Sequence, residues 1–254
     1  MRTGRCRGPV KHVRLIQYAR WAEFKRDLFP ELFESERFRP DRYLFRGSGD
    51  ANYALASSFD RRFAGVPLDR RMVLWDQVVE EFRQGCAELG VPSSVTGEDR
   101  KLWALGQHHG LPTRLLDWTT SPYVAAFFAF RDRLLGRSAG YDHVAVWALH
   151  LDNPVWSREA GVEIVSAPAL DNIRLRNQGG KFTLCRAPFG TLEEYVERFA
   201  TDLALTKCVL PAAEAEHALS DLDAMGINSY ALFPDLAGLA ATATMRASLR
   251  TAEP

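Results

Sequence analysis

The chain has 254 residues, and its 32 Lys+Arg are balanced by 32 Asp+Glu for a formal net charge of zero. That balance excludes the long-range electrostatic pull on which a generic nucleic-acid binder relies. Hydrophobic content of 46% and charged content of 25% are those of an ordinary globular chain of one large or two small domains.

Arg2, Arg5, Arg7, Lys11 and Arg14 make residues 1–17 a basic segment, read as a solvated start. Cys6, Cys86, Cys185 and Cys208 are scattered without CxxC or Cys/His spacing. Cys86, Cys185 and Cys208 are expected to be buried free thiols in a reducing compartment, and no metal site is expected. No apolar run reaches membrane-spanning length and no signal-peptide core opens the chain, so a cytoplasmic location without membrane contact is expected.

Trp21, Phe24 and Leu28 recur at helical spacing over 18–29, and Pro30 and Pro40 then punctuate a connection. Arg42–Gly47 (RYLFRG) reads as a strand running into the turn Ser48-Gly49-Asp50, which puts Arg46 near a strand end beside a glycine that permits close approach. Arg46 reads equally as a ligand contact or as a surface arginine at a turn. Met72, Trp75, Val79, Phe82, Cys86 and Leu89 form one apolar helical stripe, ended by Gly90 and Pro92. That stripe is core.

Thr96-Gly97-Glu98-Asp99 opens a further helix through Leu102, Trp103 and Leu105, and Gly110 and Pro112 stop it. Its last turn carries Gln107, His108 and His109, where helix-terminal carbonyls favour a donating imidazole. Consecutive helical positions point about 100° apart, so one of the two histidines is expected to face a site. Thr113–Asp117 (TRLLD) predicts a short strand. Ser121 then caps a helix with Pro122 at its first position, and Tyr123–Phe130 are apolar nearly all round. The free amides at that helix start suit an anionic ligand. Gly106–Ala129 as a whole is polar enough to form most of one wall of a ligand site.

Further along, His143–Leu149 reads as a buried strand and Val162–Val165 as a short one. Asn172–Cys185 suggests two strands, or a strand and a turn, around Gln178-Gly179-Gly180. Helices over 191–199 and 211–225 flank a strand at 205–210. Ser229–Phe233 is a candidate last strand, and a helix follows Pro234. These elements intermix without regular alternation, which predicts one α+β domain with a mixed, mostly antiparallel sheet flanked by helices.

Tyr43-Leu44-Phe45-Arg46-Gly47 and QHHGLPTRLLDWT, followed by Ser121-Pro122, Ala125 and Phe128-Ala129, resemble the FRG domain family, named for its Phe/Tyr-Arg-Gly motif. Gln178-Gly179, Phe182 and Phe233-Pro234-Asp235-Leu236 are similar to it as well. The resemblance makes residues 18–254 an FRG-type domain with core motifs over 42–240. It implies an accessory protein of bacteria or phages, such as a toxin or antiviral defence effector.

The order of Arg46-Gly47, then Thr119-Thr120-Ser121, then a late polar strand residue also resembles the ADP-ribosyltransferase arrangement. That resemblance implies a transferase-like fold with NAD as substrate and no metal. Arg46, with Gly47 and Arg114 beside it, would hold the NAD phosphates or ribose. Thr119, Thr120 and Ser121 would shape the nicotinamide pocket, and Gln178 would fall where a glutamate is expected. Its amide departs from that pattern, because glutamine carries neither charge nor base. His108 or His109, oriented by Asp117, would serve the acceptor as general base. The acceptor implied by that resemblance is nucleic acid or protein. Two alternatives stand beside this transferase: a non-catalytic nucleotide sensor using the same pocket, and a hydrolase or nuclease centred on His108, His109 and Asp117.

Overall fold

A computed structural model describes residues 12–34, 37–39, 42–134, 141–166 and 173–252. In chain order it begins with β1 (Val13–Gln17), α1 (Trp21–Leu32), the short pair β2 (Phe33–Glu34) and β3 (Arg37–Phe38), and β4 (Tyr43–Ser48). A helical stretch follows: α2 (Ser58–Arg62), α3 (Leu68–Glu88), α4 (Ser93–Thr96) and α5 (Asp99–His108). Then come β5 (Leu115–Thr119), α6 (Pro122–Leu134), β6 (His143–His150), β7 (Val162–Val165), α7 (Ile173–Asn177) and β8 (Gly180–Cys185). The last third holds α8 (Leu192–Phe199), β9 (Leu205–Pro211), α9 (Ala215–Ala224), α10 (Ser229–Leu232) and α11 (Leu236–Ala252).

Among the described residues, seven strands form one open sheet in the order β1-β9-β6-β4-β5-β8-β7. Every pairing is antiparallel except β1 with β9, so the α+β class and the mostly antiparallel sheet are as expected. Side chains alternate faces along each strand, and that alternation splits the core. Phe45, Val146, Cys208 and Leu210 face α1, α6 and α9. Leu44, Trp147, Leu149 and Leu205 face α8 and the segment carrying Val155 and Trp156. A third cluster packs Trp75, Val79 and Cys86 of α3 and Trp103 of α5 against Leu115, Phe182 and Leu184.

Helix α6 lies deepest. Ala125, Ala126, Phe127, Ala129 and Phe130 are fully buried, matching its all-round apolar sequence. It lies so close to β4 that a Cβ on Gly47 would sit 1.9 Å from the Ala125 carbonyl oxygen and 2.6 Å from the Ala129 nitrogen. The close approach Gly47 permits is therefore that of helix backbone.

Several expectations need correction. Val13–Gln17, read as part of the solvated start, is an edge strand of the sheet, because its backbone pairs with β9. Cys6 and the basic residues up to Lys11 lie outside the described residues. Helix α1 runs through Pro30 to Leu32. Leu89, counted in the apolar stripe, lies just past the end of α3 and is exposed. Thr96 ends α4 rather than capping α5, whose N-cap position is Glu98 with no side-chain bond. The strand expected at 113–117 sits two residues later. Residues 173–177 are helical, and Gly179, at φ 57°, turns the chain from that helix into β8. Ser229–Leu232 is a helical turn because the Asn228 side chain caps it, accepting from the Ala231 amide at 3.0 Å.

Candidate functional site

The site begins where two strands part. β4 pairs with β6 along its whole length but meets β5 only at Phe45 opposite Thr119. Past that point the Asp117 carbonyl has no ladder partner on β4, and the Arg46 guanidinium replaces it, donating through Nη1 at 2.7 Å. The same nitrogen stands 3.8 Å from Asp117 Oδ2. Burial pushes the Arg46 pKa down, Asp117 opposes that shift, and Arg61 adds to it.

The gap between the strands opens into a cavity of about 790 Å³. Arg46, Gly47, Asp117, Thr119 and Gln178 all line it, so five of the residues singled out from sequence converge there. Its walls also carry Arg61 from α2, Arg131 and Asp132 from α6, and the rings of Tyr53, Trp118, Phe128, Trp147 and Phe233. Trp147 is paired with Arg46 in the strand register, and Lys207, on the next strand, sets its Nζ 4.9 Å from the Trp147 ring centroid. Burial lowers the Lys207 pKa, against the pull of Glu193 and Asp50.

A polar chain anchors Asp117. Gln107 Nε2 donates to Asp117 Oδ1 at 2.6 Å, and Gln107 Oε1 accepts from Thr113 Oγ1 at 2.7 Å. Gln107 therefore reaches the site from the end of α5, while the two histidines after it do not. His108 and His109 are both exposed, stack edge-on with ring centroids 5.1 Å apart, and line no part of the cavity.

The Thr119-Thr120-Ser121 run serves mainly to fasten the turn that carries Gln178. Thr119 Oγ1 donates to the Gln178 carbonyl at 2.5 Å, and the Thr120 amide donates to the Gly179 carbonyl at 3.1 Å. Ser121 Oγ accepts from the Val124 amide, and the Ser121 amide donates to Thr119 Oγ1. The start of α6 is thus capped by its own side chains, and neither Thr120 nor Ser121 borders the cavity. Gln178 Nε2 donates to the Leu232 carbonyl at 3.3 Å. Asn177 Nδ2 bonds the Ala231 carbonyl, and Arg174 pairs with Asp235. These three bonds seat Phe233 on the rim, where Arg131 and Arg174 stand 5.6 Å and 5.8 Å from its ring centroid.

Arg114 lies elsewhere. It is 2% exposed, its Nε is 3.4 Å from Asp60 Oδ2, and its Nη2 donates to the Ala187 and Phe189 carbonyls. It borders a separate cavity of about 370 Å³ between α3, α5 and β8, whose Arg83 and Arg186 are each paired with a carboxylate. Sequence reading missed Arg61, Arg131 and Trp147. The first two look like ordinary helix-surface arginines, although Arg131 follows Phe128 by three residues and so shares its face. Trp147 becomes a site residue only through its register with Arg46.

Among the described residues no group of His, Cys, Asp and Glu could hold a metal ion, and no helix is long and apolar enough to cross a membrane. The family model described as the FRG domain matches residues 41–137, which run from just before β4 to just past the end of α6. No curated protein and no solved structure matches the chain.

Proposed function

From the premise that this chain carries an FRG domain, we propose that the Arg46 cavity binds NAD and that the protein is an ADP-ribosyltransferase-like enzyme. In this reading it cleaves the nicotinamide–ribose bond and passes ADP-ribose to a nucleic-acid or protein acceptor, as a bacterial or phage-defence effector would. The observation that carries the reading is the cavity lining, in which three guanidinium groups stand among aromatic faces: Arg46, Arg61 and Arg131 beside Tyr53, Trp118, Phe128, Trp147 and Phe233. Planar cations match phosphate oxygens in bidentate fashion, and aromatic faces accept the bases and the nicotinamide ring by stacking. The cavity volume of about 790 Å³ falls within the usual range for small-molecule sites.

Arg46 spends Nη1 on Asp117 and has no other protein hydrogen bond among the described residues, which leaves Nε and Nη2 for a phosphate. His108 and His109, being outside the cavity, take no part in NAD cleavage in this reading.

One observation favours a second reading, a nucleotide sensor without turnover. Gln178 is uncharged and spends its side-chain amide on the Leu232 carbonyl. Calorimetric titration with NAD and with ADP-ribose tests the binding that both readings share. Micromolar affinity that falls about tenfold or more in Arg46→Ala supports them, as expected for the loss of a charge-assisted contact. No heat from either ligand at millimolar concentration sinks both. Nicotinamide release during incubation with NAD then separates enzyme from sensor.

A further inference from the structure

Two carboxylates line the Arg46 cavity, and their surroundings differ. Asp132 has a neighbour in Arg131, 3.6 Å away on the same helix. Asp117 is held from two other elements. Gln107 of α5 donates to Oδ1 at 2.6 Å and is itself held by Thr113 at 2.7 Å. Arg46 of β4 bonds the Asp117 carbonyl and stands 3.8 Å from Oδ2. Oδ2 accepts no hydrogen bond among the described residues, and the side chain is 62% exposed. An exposed carboxylate on a strand needs no such anchoring for the fold. Fixing its position matters if something in the cavity has to meet it.

We infer that Asp117 is the carboxylate that faces the cationic nicotinamide of NAD and stabilises the positive charge passing to the ribose as the bond breaks. This rests on the NAD reading above. It also answers the difficulty posed by Gln178, since the charge missing there is supplied from the neighbouring strand. The C1′–N bond breaks with its electron pair going to the ring nitrogen, and neutral nicotinamide leaves. The positive charge remains on the ribose opposite Asp117. An acceptor N–H or O–H, or water, forms the new bond to C1′ and gives its proton to solvent. Asp117 balances the positive charge throughout, first on the ring and then on the sugar. Gln107 is a positioning residue that keeps Asp117 aimed.

The discriminating probe is the pair NAD and NADH, which share every phosphate and both riboses but differ in the charge of the nicotinamide ring. A carboxylate facing that ring favours NAD over NADH by about tenfold, and Asp117→Asn, close in shape and able to accept from Gln107, brings the two affinities within about twofold. The same variant lowers the kcat for nicotinamide release by about a hundredfold while KM changes far less. Gln107→Ala gives a smaller loss in both readouts. Wild-type protein that binds NAD and NADH alike overturns the assignment, as does Asp117→Asn with an unchanged NAD preference or unchanged nicotinamide release. In those cases NAD still binds, so the cavity reading survives. If neither nucleotide binds the wild-type protein, that reading itself is lost.

Discussion

Arg46 and Arg114 come from motifs of the same kind, and burial separates their roles. The Arg46 side chain is 24% exposed and borders the cavity, whereas Arg114 is enclosed with Asp60, Arg71 and two carbonyls. Asp60 is further held by the Ser57 hydroxyl at 2.6 Å. This cluster ties α2 and α3 to the start of β5 and to the 187–189 segment. Removing one partner from a buried ion cluster leaves charge and carbonyls unsatisfied, a loss of about 3–5 kcal/mol. Arg114→Ala is therefore expected to lower stability by that order in urea melts, while protein that remains folded binds NAD with wild-type affinity. A selective loss of NAD affinity with normal stability would place Arg114 in the binding site after all.

Between elements, the Phe45-Arg46-Gly47 motif divides its labour along one strand. Phe45 fills the core under α6, Arg46 reaches the opposite side toward Asp117, and Gly47 lets α6 lie against the strand. A methyl group at Gly47 meets helix backbone, which cannot swing aside as a side chain can. Gly47→Ala is expected to cost about 3 kcal/mol or more, read as a lower urea midpoint with the slope unchanged. Gly49, two residues on, is a useful control: a Cβ there meets its nearest neighbour at an ordinary 3.7 Å, so Gly49→Ala should be far milder. The polar elements work in the same cooperative way. Thr119 and Thr120 hold the Gln178 turn, and Gln178 with Asn177 and Arg174 holds the segment carrying Phe233. The late Phe-Pro-Asp-Leu motif is thereby seated on a cavity whose floor was laid more than a hundred residues earlier in the chain.

At the scale of the whole molecule, the half-buried far end of β6 makes stability depend on pH. His150 bonds Thr206 Oγ1 through Nε2 at 2.8 Å, and burial, reinforced by Arg14 and Arg42, lowers its pKa to about 4. The unfolded chain takes up this proton near the ordinary histidine value of about 6.5, before the folded protein does. The contribution of a neutral His150 is therefore complete above about pH 6.5 and is lost as pH falls toward 4. Over that window the loss is on the order of 3 kcal/mol. Urea unfolding measured from pH 7.5 to pH 4.5 should show this fall in the wild-type protein and a shallower one in His150→Gln. Identical slopes in the two proteins would mean that another group carries the pH dependence.

The sequence by itself determined the α+β class, the buried α6, the core stripe of α3 and the polar run that brings Asp117 and Thr119 to the cavity wall, whereas Arg46, Gly47 and Gln178 were grouped with them only through the transferase resemblance. Those features are local or compositional: an apolar helix announces its burial, and a dense polar run between two apolar elements has few positions open to it. Tertiary structure decided the rest. Adjacent residues such as Gln107 and His108 parted because helical geometry turns successive side chains away from each other, sending one to Asp117 and the other to solvent. Strand register put Trp147 beside Arg46 across a hundred residues of chain, which no spacing reveals. Short segments escaped for a related reason. At Ser229–Leu232 a single capping asparagine outweighed weak strand propensity, and at Val13–Gln17 a partner strand nearly two hundred residues away supplied the pairing.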